Sequence, residues 1–125
     1  MFKTLFFIAI GGALGSILRY SVTLLVNKFW SDNFPLATFI TNCLGCFMIG
    51  FFIGFLERNN ITNLNIKWFL ITGLCGGFTT FSAFGFENVT LLNNNNSSIA
   101  FLYIGLSVIT GLFAVWFGLF VSENC

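Results

Sequence analysis

The chain has 125 residues, of which 57% are hydrophobic and 7% charged, with nineteen phenylalanines and a formal net charge of +1. Soluble domains carry about 25% charged residues, so this chain cannot cover a water-facing surface and reads as a membrane protein. The small net charge gives no basis for binding nucleic acid. The absence of histidine removes the commonest general base and metal ligand, and with four acids and five bases in all an enzyme is not expected.

A helix crosses the hydrocarbon core of a bilayer with about 20 apolar residues. Four segments reach that length, at about 2–26, 35–56, 66–92 and 99–121, giving a single four-helix transmembrane domain over 1–125. The first begins like a signal peptide, with Lys3 ahead of an apolar stretch. The stretch outruns the about 7–15 residues of a signal core, and Arg19-Tyr20 stands where cleavage would be sought, so it is read as a retained helix. Gly11 and Gly15 form G-x-x-x-G here, and Gly50 and Gly54 repeat it in the second span; this spacing lets helices approach closely in lipid. Arg19, in the last third of its span, has two readings: snorkelling to the headgroups, or an electropositive vestibule that gathers anions.

Pro35 suits the first turn of the second span. Thr38, Asn42 and Gly45 then fall on one helix face. Cys43 and Cys46 have C-x-x-C spacing, a redox or metal signature in a soluble protein; inside an apolar helix with no histidine to complete a site they are read as packing residues. Cys75 and Cys125 have no evident partners, and nothing argues for a disulfide.

The third span contains GLCGGFTTFSAF at residues 73–84. Glycines loosen a helix, and the hydroxyls of Thr79, Thr80 and Ser82 serve backbone groups that a break sets free. The sequence therefore predicts a third helix broken near its middle, a feature that in membrane proteins lines a cavity or ion site. Glu87, further along, is read as structurally paired. On the fourth span Tyr103, Ser107 and Gly111 are spaced by four with Thr110 beside them, a narrow polar stripe.

The connections at 27–34, 57–65 and 93–98 are short and polar, and Tyr20, Trp30 and Trp68 lie near span ends as interfacial aromatics do. Four spans put both termini on one side. Lys3, Arg58 and Lys67 fall on that side, and Lys28, joined by Arg19 if it snorkels, on the other. So weak a bias is compatible with one orientation and with insertion in both, and thus with an antiparallel dimer. One such chain is too slender to hold a wide pore, so an oligomer is expected.

Amide and hydroxyl groups are neutral donors. They replace part of an anion's hydration shell without trapping it, the balance conduction requires. The ring edges of Phe81 and Phe84 carry partial positive charge, whereas a cation path would show carboxylates. On the residues alone an anion path, a transporter site and plain packing all stay open, because hydroxyls also bond back to their own helix and Asn42 also suits interhelical glue.

Three stretches resemble one family in order and along nearly the whole chain: GGALGSILRY (11–20), PLATFITNCLGCFMIG (35–50) and GLCGGFTTFSAF (73–84). The chain looks like a member of the small fluoride-channel family, Fluc or CrcB. The resemblance implies an all-α antiparallel homodimer of dual topology in the cell (plasma or inner) membrane, with two fluoride pores. It also implies a structural sodium ion at the dimer axis, held by backbone carbonyls that fall on Gly76 and Thr79. Phe81 and Phe84 match pore-lining phenylalanines, Asn42 the pore asparagine, and Arg19 an arginine near the aqueous mouth. Tyr103 and Ser107 match the start of a polar track, which departs from the family where Gly111 replaces a third hydroxyl. Thr38, Thr80 and Ser82, from the polar faces above, complete the candidate pore set. The implied activity is passive fluoride export that reduces fluoride toxicity. The competing classes are a small dual-topology multidrug or cation exporter, which wants a carboxylate in the first span where there is none, and a noncatalytic membrane scaffold, in which Asn42, Phe81 and Phe84 would tolerate change.

Overall fold

A computed structural model describes all residues, 1–125. Helix α1 spans Phe2–Phe29 and α2 spans Leu36–Arg58. The third span runs over Leu64–Asn93 in two parts. Its first part, α3 (residues 64–78), starts as α-helix at Leu64–Lys67, widens to a π-helix at Trp68–Cys75 and returns to α at Gly76–Phe78. Its second part, α4, is Phe81–Asn93. The last helix, α5, is Ser97–Glu123. All four spans are long and apolar enough to cross a bilayer, and the chain is a multi-pass membrane protein.

Each helix continues past its apolar limits into polar flanks, because helical hydrogen bonding is not bounded by the hydrocarbon. Pro35 precedes the first residue of α2 rather than entering it, and its carbonyl accepts from Phe39 N at 3.1 Å. Asn60 and Asn95 turn the chain at the ends of α2 and α4 with φ of 52° and 62°, a left-handed conformation that asparagine tolerates better than most residues. The π-helical stretch has no forewarning in the sequence, since an apolar run reads the same for either helix type.

Two helix pairs form the body. In one, α1 lies on α3 with backbone against backbone: a Cβ on Gly11 would stand 3.0 Å from Gly73 Cα, and one on Gly15 2.8 Å from Phe78 N. In the other, α2 lies along α5, where Gly50 meets the Val115 backbone and a Cβ on Gly118 would stand 2.8 Å from Phe51 N. Both G-x-x-x-G pairs therefore serve packing, with Gly73 and Gly118 as partners that the spacing alone did not name. Arg58 donates to the Ser122 and Glu123 carbonyls at the end of α5, a basic cap on a helix C-terminus. At the same end of the bundle Thr4 Oγ1 donates to Asn65 Oδ1 at 3.3 Å. Near the opposite end Leu91, Ala100 and Tyr103 make a buried cluster, flanked by Phe34, Phe39, Phe84 and Ile99. Most large apolar side chains face outward, as a lipid solvent permits.

Candidate functional site

The third span breaks at Thr79 (φ −89°, ψ 156°) and Thr80 (φ −150°, ψ 114°), two extended residues between α3 and α4. A break exposes backbone groups that lipid cannot satisfy, and the local hydroxyls and one amide take them up. Thr79 sends both its N–H and its Oγ1 to the Cys75 carbonyl, at 3.0 and 2.9 Å. Thr80 Oγ1 accepts from Ala83 N at 3.1 Å, capping α4, and lies 3.1 Å from Ser82 Oγ. From across the bundle, Asn42 Oδ1 accepts the Thr80 N–H at 2.8 Å while Asn42 Nδ2 donates to the Thr80 carbonyl at 3.1 Å. Asn42 thus completes both backbone groups of one residue, as a neighbouring strand would.

This repair has a second effect. In a continuous helix the Gly76 carbonyl would accept from Thr80 N, and the Thr79 carbonyl from Ala83 N. The first donor goes to Asn42 and the second to the Thr80 hydroxyl. The Gly76 and Thr79 carbonyls thus lose their helical donors, as those of Gly77 and Phe78 do at the same break, and Gly76 is exposed. No cluster of three His, Cys, Asp or Glu side chains suited to a metal ion forms.

Two cavities meet at the break. One, of about 370 Å³, is lined by Asn42, Gly76, Thr80, Phe81, Phe84 and Ser107 among others. Ser107 Oγ is buried and has no hydrogen-bond partner. The other, of about 300 Å³, is lined by Arg19, Ser16, Thr23, Thr38, Thr41 and Thr80 among others. Thr80 borders both. The rings of Phe81 and Phe84 lie 5.7 Å apart, tilted by 38°; Phe81 is 83% exposed, and Phe84 is half-buried.

Thr38 and Tyr103 both bond Glu87. Thr38 Oγ1 donates to Glu87 Oε2 at 3.0 Å, and the fully buried Tyr103 donates to Glu87 Oε1 at 3.3 Å. Glu87 is paired, as expected, but with hydroxyls from α2 and α5 rather than with a base. The Tyr103 ring also stands edge-on to Phe84 and to Phe34, at 5.0 and 5.3 Å. This three-helix convergence had no sequence signal, because the three residues lie far apart and share no motif. Thr110 Oγ1 turns back to the Leu106 carbonyl and lies 3.2 Å from Cys43 Sγ. At the step where a third hydroxyl is expected, Gly111 leaves room beside Cys46 Sγ. The four cysteines are free thiols, and Cys46 and Cys75 line the larger cavity. Ser82 is exposed.

The architecture and the site together define a class: a small polytopic membrane protein with a broken third span, its break repaired from a neighbouring helix and opening onto two cavities. Residues 6–119 match the family model described as "CrcB-like protein, Camphor Resistance (CrcB)", and the chain belongs to that family. It is 57% identical over 122 residues to a protein of Flavobacterium psychrophilum named "Fluoride-specific ion channel FluC", covering 98% of each chain. Proteins of the same name from Azobacteroides pseudotrichonymphae and Phocaeicola vulgatus are 45% and 43% identical, covering 98% of this chain and 98% of the first, and 97% and 99% for the second.

Proposed function

We propose that the chain is a fluoride-selective ion channel, not an enzyme, which exports cytoplasmic fluoride passively. The observation that carries this reading is the larger cavity: phenylalanine rings, neutral polar residues and apolar side chains line it, no acid borders it, and Ser107, whose buried Oγ has no partner, is among its residues. A buried hydroxyl that finds no acceptor costs free energy, and a small, hard anion supplies the acceptor. The ring edges of Phe81 and Phe84 add positive quadrupole, and Asn42 and Thr80 are among the polar residues in its lining. Arg19, on the second cavity, raises the local concentration of anions at the aqueous mouth. Names of the relatives in three organisms support fluoride as the ion.

Fluoride enters a cell as neutral HF, dissociates near neutral pH and is trapped as the anion. A selective pore lets the interior-negative potential drive it out, with no need for a nucleotide site.

The working unit in this reading is an antiparallel homodimer of dual topology with two pores. Phe81 and Phe86 on α4 are 83% and 74% exposed within one chain, so a pore wall that includes Phe81 needs a second copy to close it. The weak charge bias between the two sides suits insertion in both orientations. At the dimer axis a structural sodium ion would be held by the carbonyls of Gly76 and Thr79. Their fit is chemical: each is a hard oxygen whose helical donor has been diverted, and hard cations take oxygen ligands.

The test is ion flux from liposomes holding the purified protein. Fluoride leaves rapidly and chloride is excluded by a wide margin; equal rates for the two ions, or no flux of either, would refute the reading.

A further inference from the structure

We infer that Asn42 acts on the cation site as well as on the anion path: by clamping the backbone of Thr80 it holds open the break that frees the Gly76 carbonyl for a cation. This rests on the sodium site proposed above and assigns the residue that maintains it.

Thr80 N has two possible acceptors. One is the Gly76 carbonyl, which would continue the helix across the break and consume an oxygen proposed to bind the ion. The other is Asn42 Oδ1, which takes it at 2.8 Å. Asn42 Nδ2 then donates to the Thr80 carbonyl at 3.1 Å, so the same side chain satisfies the acceptor that an extended Thr80 would otherwise leave bare. Both bonds hold only while Thr80 stays extended, at φ −150° and ψ 114°. Removing the amide removes the competitor for the Thr80 N–H and leaves the Thr80 carbonyl unsatisfied in an apolar setting, and each change favours closing the helix onto Gly76. The break itself is further defined by Thr79, whose N–H and Oγ1 both go to the Cys75 carbonyl, so loss of Asn42 shifts the geometry at Gly76 rather than dissolving the span. Asn42 touches the proposed ion through Thr80 alone and is in this respect a positioning residue.

The experiment is thermal unfolding of the purified dimer across a sodium titration at constant ionic strength, with a large organic cation as replacement. The variants are Asn42→Ala, Asn42→Asp, which keeps an oxygen for the Thr80 N–H, and Cys43→Ala as a neighbour outside the clamp. A ligand at concentration c that binds only the native state stabilises it by RT ln(1 + c/Kd), so the melting temperature starts to rise once the ligand concentration passes Kd. In Asn42→Ala the sodium concentration at which the melting temperature starts to rise is about tenfold or more higher, the loss expected from one or two backbone-directed hydrogen bonds. Asn42→Asp lies closer to wild type, Cys43→Ala matches it, and saturating sodium restores the dimer of Asn42→Ala. An unchanged sodium onset in Asn42→Ala, or an onset in Asn42→Asp as far displaced as in Asn42→Ala, overturns the clamp and leaves the cation site standing. A wild-type protein indifferent to sodium removes the cation site and the clamp with it. The readout is independent of fluoride flux, which the loss of a pore-lining amide would lower in any case.

Discussion

The two parts of the third span are built by opposite means. The first, α3, is held by what its residues lack: Gly73 and Gly77 let it lie against Gly11, Gly12 and Gly15 of α1 with no side chain between the backbones. The second, α4, is held by what its residues carry: Glu87 takes hydroxyls from two other helices, Phe84 meets Tyr103 edge-on, and Asn42 reaches the residue that starts it. Dispersion between close backbones tolerates no added atom, so α3 is a fixed support. Polar contacts of this kind set direction, which suits α4 to the anion-handling role proposed for it. One apolar span thus has a structural part and a working part, and the two extended residues at Thr79 and Thr80 separate them.

That contrast is broken or sharpened by graded substitutions. The largest effect belongs to Gly11→Leu, whose Cβ alone would stand 3.0 Å from both Gly73 Cα and Leu74 N. Backbone cannot retreat as a side chain does, so the cost is about 3 kcal/mol or more, and size-exclusion chromatography of the purified protein shows loss of the folded species. Recovery of normally folded protein would mean that the α1–α3 contact is looser than backbone-on-backbone packing. Next comes Tyr103→Phe, which removes one of the two hydroxyl donors to Glu87 at a cost of about 1.5–3 kcal/mol, the range for hydrogen bonds to charged groups. Chemical denaturation reads it; no change would say that the 3.3 Å bond contributes nothing. Thr79→Val loses the hydroxyl bond to the Cys75 carbonyl but keeps the Thr79 N–H on the same acceptor, so the loss is smaller, about 0.5–1 kcal/mol. The smallest effect on stability is that of Ser107→Ala, since its Oγ has no partner to lose. Its stability is unchanged or rises by up to about 1 kcal/mol, while fluoride efflux falls. A destabilised Ser107→Ala would show that the hydroxyl is structurally bonded and not held free for an ion.

Much of the framework was legible from the sequence because membrane spans announce themselves by length and apolarity. The break was legible for a related reason: Gly73, Gly76, Gly77, Thr79, Thr80 and Ser82 form a local cluster that a continuous helix does not need. What the sequence did not reveal depends on distance along the chain. The meeting of Thr38, Glu87 and Tyr103 joins three helices, and the Asn42–Thr80 pair spans 38 residues. The π-helical widening at Trp68–Cys75 leaves no mark in an apolar run, and Gly118, the partner of Gly50, lies outside any G-x-x-x-G pair. Asn42 was read as either a pore donor or interhelical glue, and its geometry serves the second role directly while leaving it on the wall of the larger cavity.

The central claim, that the break divides a part held by backbone packing from the part whose side chains meet the permeating anion, is tested most directly by fluoride efflux from liposomes holding Phe84→Ile beside wild type, with dimer mass and melting temperature read on the same samples. The account predicts a fall in fluoride efflux of about tenfold or more with the dimer retained, and a stability loss limited to the Phe84–Tyr103 edge contact, about 0.5–1.5 kcal/mol. Wild-type fluoride efflux in Phe84→Ile, with the protein equally folded, would contradict it.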